Sequence, residues 1–255
     1  MNVVVTGSRG YIGSALIERL KQLPINVVWE IDKKNNTDVL DINADDYKNV
    51  DYVIHLAAQT SVFNNNLNAI IRDNIIAFKK IVDFANEKDA KLIYASSSCA
   101  ANITSLYGIS KKFNEEYAKI YCNKATGIRF HNVYSDKPRK GTLLYNLLNE
   151  EEPKIYNNGK NVRHFTHISD IIDGIIFAFN TSLELINVCN PVKNTVMEFC
   201  TEVSNHVKLN KLQYVSETLK YDKVEQIVDE NVYIVPLDYK GIKEGLTLSL
   251  KNYKK

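Results

Sequence analysis

Short apolar runs alternate with longer amphipathic segments along almost the whole chain. The runs are rich in Val and Ile and have the length and continuity of strands buried on both faces of a sheet. The amphipathic segments space their apolar residues three and four apart, as in helices packed on one face. The predicted strands are 3–5, 26–31, 51–58, 91–95, 127–130 and 186–188, and the predicted helices are 12–23, 67–86, 107–122, one that begins at 171, 196–207 and 241–253. This order predicts an α/β fold with a doubly wound parallel sheet.

Three glycines, Gly7, Gly10 and Gly13, lie between the first predicted strand and the first predicted helix. Gly7 lets the chain reverse, Gly10 lets backbone amides approach a pyrophosphate, and Gly13 lets the helix pack closely on the sheet. The N-terminus of that helix would then face the anion. The spacing therefore predicts a dinucleotide site where the first strand ends.

Asp32 ends the second predicted strand, about twenty residues after the glycines, where a carboxylate can accept hydrogen bonds from adenosine ribose hydroxyls. A carboxylate at this position also repels a 2′-phosphate, so we expect NAD as the cofactor. Lys33 and Lys34 directly follow and favour a phosphate. NADP therefore stays open as an alternative.

These motifs resemble those of the extended short-chain dehydrogenases/reductases, the NAD-dependent epimerase/dehydratase family that modifies nucleotide-activated sugars. The resemblance rests on the glycine spacing after Thr6, the stretch 51–58, the pair Tyr107 and Lys111, and the stretch 158–171. It covers nearly the whole chain. Departures from the family pattern fall on the substrate side, where the loop before Tyr107 is short and a second phosphate-binding arginine has no clear counterpart.

The resemblance implies a Rossmann core over residues 1–133 and a small C-terminal substrate lobe over 134–255, with about 163–188 returning to the core. Within the cofactor site, Asp41 and Ile42 would flank the adenine and Asn74 would brace the cofactor strand. The cofactor-binding residues that it implies are Gly7, Gly10, Tyr11, Ile12, Gly13, Asp32, Asp41, Ile42, Leu56, Ala57, Ala58, Asn74, Tyr107 and Lys111.

Tyr107 and Lys111 lie four residues apart at the start of a predicted helix that follows a serine-bearing strand. The two other Tyr-x-x-x-Lys pairs, at 156/160 and 239/243, fall in a turn and after a proline. A tyrosinate can take the proton of a sugar hydroxyl if nearby positive charge lowers its pKa from about 10. Ser97 would orient the same hydroxyl. We therefore expect Ser97, Tyr107 and Lys111 to be the catalytic residues.

The expected substrate-binding residues are Ser97, Cys99, Asn132 and Arg163. By resemblance, Asn132 would touch the sugar or the diphosphate, and Arg163 would clamp the diphosphate by bidentate, charge-assisted hydrogen bonds. Cys99 stands where 3,5-epimerase/4-reductases of nucleotide-linked sugars carry an acid or base. A buried cysteine that only packs the cavity wall is the commoner arrangement.

The expected activity is an NAD-dependent redox step at C4 of a nucleotide-activated sugar, either 4-epimerisation or reduction of a 4-keto sugar. One alternative is a 3,5-epimerase/4-reductase that uses Cys99. The other is a non-catalytic dinucleotide-sensing regulator on the same fold. Sensors of this kind typically lose the tyrosine or the lysine, and this chain keeps both.

Composition and charge bear on the classes of binding partner but do not identify the substrate. The 255 residues are 45% hydrophobic and 24% charged, with a formal net charge of +2, and basic residues are dispersed. We therefore expect neither a nucleic acid nor a membrane as partner. Four cysteines without a Cys-x-x-Cys pair indicate no metal site, and with no apolar leader or membrane-length stretch we expect a cytoplasmic protein. A homodimer stays open.

Overall fold

A computed structural model describes residues 1–253 of the chain. The strands are β1 (Asn2–Thr6), β2 (Val27–Ile31), β3 (Tyr52–His55), β4 (Lys91–Ser97), β5 (Ala125–Phe130), β6 (Val133–Tyr134), β7 (Lys154–Ile155), β8 (Val162–Arg163), β9 (Thr166–His167), β10 (Leu185–Val188), β11 (Asn194–Thr195), β12 (Gln213–Tyr214) and β13 (Tyr233–Ile234). Seven of them form one sheet in the order β13-β10-β5-β4-β3-β1-β2. Every neighbouring pair in this sheet is parallel.

The helices cover both faces of the sheet. They are α1 (Tyr11–Leu20), α2 (Leu67–Ile70), α3 (Ala77–Glu87), α4 (Leu106–Tyr121), α5 (Leu143–Asn149), α6 (Ile168–Asn180), α7 (Val196–His206) and α8 (Ile242–Leu250). A π-helical turn, Ile71–Ile76, joins α2 to α3 without a break.

Because side chains alternate along a strand, β1 contributes to two separate cores. Val3 and Val5 pack with residues of α1 and α6, whereas Val4 packs with residues of α3 and α4. All three valines are fully buried. The doubly wound parallel sheet expected from the sequence is thus confirmed, and its buried strands are the apolar runs.

β13 is the one strand of the main sheet that lies outside the strands predicted from the sequence. It pairs with β10 through only two residues, Tyr233 and Ile234, before Val235 and Pro236. An element this short has no periodicity from which it could be predicted.

A third core lies in the C-terminal half and joins α5, α7 and α8. Phe165 and Phe199 stack within it at a ring distance of 4.2 Å, and Leu147 and Leu246 are fully buried there. Residues 215–232, here called the crossing segment, run from this core back to the main sheet. Within residues 1–253, no helix has both the length and the apolar character that crossing a membrane requires.

Candidate active site

One cavity of about 720 Å³ opens where β1 to β5 end. Its wall includes most of the residues expected to bind a cofactor or a substrate, because the carboxyl ends of parallel strands share one edge of the sheet. The expected residues that line it are Gly7, Gly10, Tyr11, Ile12, Gly13, Asp32, Leu56, Ala57, Ala58, Ser97, Cys99, Tyr107, Lys111, Asn132 and Arg163.

The glycine turn leaves no room for side chains. Gly7 has φ of 69°, and a Cβ on it would lie 2.6 Å from the Ala57 nitrogen. A Cβ on Gly13 would lie only 2.0 Å from the Gly7 carbonyl oxygen. Gly10 is the N-cap of α1 and makes no side-chain cap, and the first turn of α1 carries no acidic residue. The first amides of α1 are therefore free to face an anion.

The Asp32 carboxylate is held in place by backbone donors. Its Oδ2 accepts from the Arg9 amide at 3.0 Å and its Oδ1 from the Lys34 amide at 2.9 Å. Each carboxylate oxygen has two lone pairs, so both oxygens can accept one further hydrogen bond. The geometry fits a pair of ribose hydroxyls.

Asn74 is buried but does not line the cavity. Its Oδ1 accepts from the Gln59 amide at 2.7 Å, and its Nδ2 donates to the Gln59 carbonyl and to Ser110 Oγ. It therefore ties the loop after β3 to α4, and its role in bracing the cofactor strand stays a prediction.

Asp41 and Ile42 do not line the cavity that they were expected to flank. Asp41 is exposed, and Ile42 is 5% exposed within a hydrophobic core. The cavity is lined instead by Asp38 and Val39, three residues earlier. The Asp38 side chain caps a short 3₁₀ turn, Val39–Asp41, by accepting from the Leu40 amide. This turn carries Asp41 away from the cavity, so the expected pair is wrong by three residues.

Tyr107 and Lys111 are both buried on the first turns of α4, next to the end of β4. The Lys111 ammonium lies 5.9 Å from the centre of the Tyr107 ring and donates to the Ala95 carbonyl at 2.7 Å. Burial lowers the pKa of Lys111 to about 8, although the Glu115 carboxylate opposes the shift. At neutral pH Lys111 therefore stays mostly protonated.

Burial, with a further contribution from the nearby Cys99, raises the pKa of Tyr107 to about 12, and the neighbouring Ser97 hydroxyl and Arg139 guanidinium partly oppose the rise. The sequence led us to expect a lowered value. Desolvation of the phenolate outweighs the positive charge that the protein itself supplies. Ionisation near neutral pH thus requires further positive charge in the cavity.

A buried ionic network lies directly behind these residues. The Glu115 carboxylate accepts from Ser96 Oγ at 2.6 Å and from two nitrogens of Arg129 at 2.7 and 2.8 Å. Arg129 also donates to Asp229 of the crossing segment at 2.9 Å. The network joins β4, α4, β5 and the crossing segment, so it fixes the elements that carry Ser97, Tyr107 and Asn132 relative to one another.

On the substrate side, Arg163 is 8% exposed and pairs with Asp222 at 2.5 Å. Asn161 donates to the other oxygen of Asp222 at 2.8 Å. Asn132 has φ of 29°, and its Oδ1 is buried without a hydrogen-bond partner in residues 1–253. Such an acceptor is suited to a ligand hydroxyl.

The family model described as "NAD dependent epimerase/dehydratase family" matches residues 3–189. The chain belongs to this family. It is an enzyme of the NAD-dependent epimerase/dehydratase type, and its cofactor is NAD.

Individual proteins resemble the chain in sequence or in fold. Protein CapI of Staphylococcus aureus is 30% identical over 227 residues, which cover 69% of this chain and 68% of CapI. MoeE5, solved with UDP-glucuronic acid and NAD, superposes with a TM-score of 0.85 at 22% identity over 98% of both chains. A UDP-N-acetylglucosamine 4-epimerase from Methanobrevibacter ruminantium gives 0.82 at 22% identity over 99% of both chains.

The residues present fit the family's dinucleotide. Gly7 and Gly13 keep the turn tight, because a side chain at either would collide with neighbouring backbone atoms; the free end of α1 lies at this turn, and Asp32 offers two oriented oxygens. Ser8 Oγ is buried with no hydrogen-bond partner in the described part of the chain. These features would hold the pyrophosphate and the adenosine ribose of NAD.

Several cavity residues were not expected from the sequence. Gln226 of the crossing segment donates to Ser98 Oγ at 2.5 Å across 128 residues of sequence, and Asp222 lines the same wall. Arg139 also lines the cavity and hydrogen-bonds Thr60. None of them belongs to a motif in the sequence. The one sequence signal was that a second phosphate-binding arginine has no clear counterpart, which indicated that this part of the wall departs from the family pattern.

Proposed function

We propose that this enzyme oxidises and reduces C4 of a nucleotide-activated sugar, with Ser97, Tyr107 and Lys111 as its catalytic residues. The observation that carries the proposal is the buried Tyr107–Lys111 pair beside Ser97, at the end of a cavity whose other end carries the glycine turn and Asp32. Tyr107, the proposed acid-base residue, and the proposed dinucleotide site thus line the same cavity.

In the proposed reaction Tyr107 accepts the proton of the C4 hydroxyl as the hydride leaves that carbon. NAD, when bound, supplies the hydride acceptor and the positive charge that Tyr107 needs to ionise. Lys111, fixed by the Ala95 carbonyl, stabilises the phenolate from the protein side. Ser97 Oγ accepts from the Cys99 amide at 3.1 Å, which leaves its proton free to donate to the sugar oxygen.

Recognition of the substrate would fall to Asn132 and Arg163. The unpaired Oδ1 of Asn132 is available to a sugar hydroxyl. Arg163 would hold the diphosphate, and its present partner Asp222 would have to share or release the guanidinium. A 4-epimerase and a 4-keto-sugar reductase would both need to hold the diphosphate and the sugar in this way, since both act on nucleotide-activated sugars.

Two alternatives remain. Cys99 lines the cavity, so a 3,5-epimerase/4-reductase is the second candidate. A non-catalytic dinucleotide sensor is the third. Support for an enzyme acting at C4 comes from 4-epimerases among the structural relatives, such as the one from Methanobrevibacter ruminantium.

The test of the proposal is Tyr107→Phe, assayed with NAD and a panel of UDP-glucose, UDP-N-acetylglucosamine and UDP-glucuronic acid. We expect turnover of the accepted sugar to fall at least about a thousandfold, since the proton acceptor is lost, while the Kd of NAD changes less than about twofold. Lys111→Ala should damage both turnover and NAD binding. Tyr121→Phe, on the exposed face of the same helix, is the matched control. Wild-type turnover in Tyr107→Phe would refute the proposed catalytic residues.

A homodimer stays part of the proposal. α4 exposes Ile109, Phe113 and Ile120 on one side, and the neighbouring helix exposes Leu67 and Ile76. Two copies could bury this apolar surface against each other. Sedimentation equilibrium measures the assembly directly.

A further inference from the structure

Four basic residues lie close to the end of the cavity where Asp32 would hold the adenosine ribose. Lys33 lines this end, Arg9 and Lys34 contact Asp32 through their backbone amides, and Arg72 contacts the cavity residues Asp38 and Asp73. Free cations at this place would favour a dinucleotide that carries a 2′-phosphate. In the structure, however, each of the four side chains already contacts an acceptor of the protein.

Lys33 and Arg72 share two carboxylates, and the four groups form one closed network. Lys33 Nζ lies 2.8 Å from Asp73 and 3.8 Å from Asp38. The Arg72 guanidinium lies 2.6 Å from each of the same two carboxylates. Both carboxylates are mostly buried, with side-chain exposures of 18% and 15%, whereas the two cations are about half exposed. The carboxylates are thus the fixed members of the network.

Both carboxylates are also held by neutral donors. The Leu40 backbone amide donates to Asp38, and the side-chain Nε2 of Gln59 donates to Asp73 at 2.7 Å. Burial by itself would raise the pKa of both carboxyl groups. Hydrogen bonds from Arg72, Lys33 and these neutral donors outweigh burial, so both pKa values lie below the ordinary range. Both groups are therefore ionised at neutral pH.

The remaining two cations are engaged close to Asp32. Arg9 pairs with Glu30 at 3.2 Å, and Lys34 Nζ donates to the Arg9 carbonyl at 3.0 Å. The backbone amides of Arg9 and Lys34 are the two donors to the Asp32 carboxylate. Both residues therefore serve to orient Asp32 through their backbones, while their side chains are directed to protein acceptors.

We propose that Asp38 and Asp73 are specificity-determining residues that make the enzyme prefer NAD over NADP, because they hold the cations that a 2′-phosphate would recruit. Asp32 supplies the direct repulsion. A 2′-phosphate would have to draw Lys33 and Arg72 away from two carboxylates that are already fixed, and it would meet the negative charge of those carboxylates. NAD carries only hydroxyls there and leaves the network intact.

The proposal rests on dinucleotide binding and is independent of the sugar chemistry, so it can be tested without a substrate. Asp73→Asn keeps the shape of the side chain and an acceptor for Gln59 but removes the charge. We expect the Kd of NADP, measured by calorimetric titration, to fall at least about fivefold, and the Kd of NAD to change less than about twofold. Asp38→Asn should act in the same direction. Asp83→Asn, which removes an exposed partner of Lys79 from α3, should change neither constant.

Substitution of Lys33 tests whether the freed lysine causes the gain in NADP affinity. Lys33→Ala should leave the Kd of NADP unchanged in the wild-type background, where the lysine is held, and should remove much of the gain in the Asp73→Asn background. The gain should also shrink as salt is raised from about 0.05 to 0.5 M, because the freed cations are exposed. An unchanged NADP affinity in both Asp variants, with a melting temperature showing that they fold, would overturn the proposal. Equal gains for NAD and NADP would do the same.

Discussion

The two ends of the cavity are built in different ways. At the cofactor end, the wall comes from turns that directly follow β1, β2 and β3. At the substrate end, the wall comes from side chains such as Asn132, Arg163, Asp222 and Gln226, which lie far apart in the sequence. The first end depends on close backbone contacts. The second depends on how the crossing segment reaches back to the sheet.

The two ends therefore leave different room for change. The glycine turn has no space for an added atom at Gly7 or Gly13, whereas the substrate end is formed by side chains. The departures from the family pattern fall at the substrate end. Substitutions at each end test whether the two ends behave independently.

The largest effect is expected for Gly13→Ala at the cofactor end. The new methyl would lie 2.0 Å from the Gly7 carbonyl oxygen, so α1 or the turn must move. Overpacking of this kind destabilises a protein by about 1–3 kcal/mol or more, and we expect a lower melting temperature and NAD binding weakened at least about tenfold. Gly241→Ala is the control, because a methyl there meets open space. Wild-type NAD affinity in Gly13→Ala would mean that the turn is not the constraint described here.

A smaller and more selective effect is expected for Arg163→Gln at the substrate end. Loss of a charge-assisted hydrogen bond amounts to about 1.5–3 kcal/mol, so the KM of the nucleotide sugar should rise about 10- to 100-fold. The Kd of NAD should stay within about twofold of the wild type. Lys160→Gln, an exposed neighbour, provides the comparison. If NAD binding weakened as much as sugar binding, the two ends would not be separable.

The smallest effect is expected for Cys99→Ser. If the thiol only packs the wall, turnover should stay within about threefold of wild type. Incubation of a 4-keto nucleotide sugar with the enzyme in deuterated water should place no deuterium at C3 or C5. Cys122→Ser, at the end of α4, controls for loss of a partly buried thiol. Deuterium that appears at C3 or C5 and is lost in Cys99→Ser would favour the 3,5-epimerase/4-reductase instead.

The glycines and Asp32, expected at the cofactor end, line the cavity because local structure sets their positions. Gly7, Gly10, Gly13 and Asp32 act through the ends of two strands, and a strand end is visible in the apolar pattern. The error at Asp41 and Ile42 arose where no strand or helix fixes the register. A single 3₁₀ turn there moved the lining residues to Asp38 and Val39.

At the substrate end, the lining residues could be predicted only where they belong to a sequence motif, as Arg163 and Asn132 do. Gln226 meets Ser98 because β13 and the crossing segment fold back on the sheet, and no local pattern encodes that contact. The pKa of Tyr107 was missed for a similar reason. The spacing of Tyr107 and Lys111 indicated a favourable charge, but it held no information on how deeply the phenol would be buried.

The π-helical turn between α2 and α3 has a consequence for insertions and deletions. Its wide turn lets two consecutive residues, Asp73 and Asn74, both contact Gln59, although neighbours on a regular helix point about 100° apart. Deleting one residue from Ile71–Ile76 would restore the regular helix and change which side chains of this segment face the loop after β3. Asp73 and Asn74 could then no longer both reach the loop. Length changes in this helix should therefore be far less tolerated than substitutions on its exposed face.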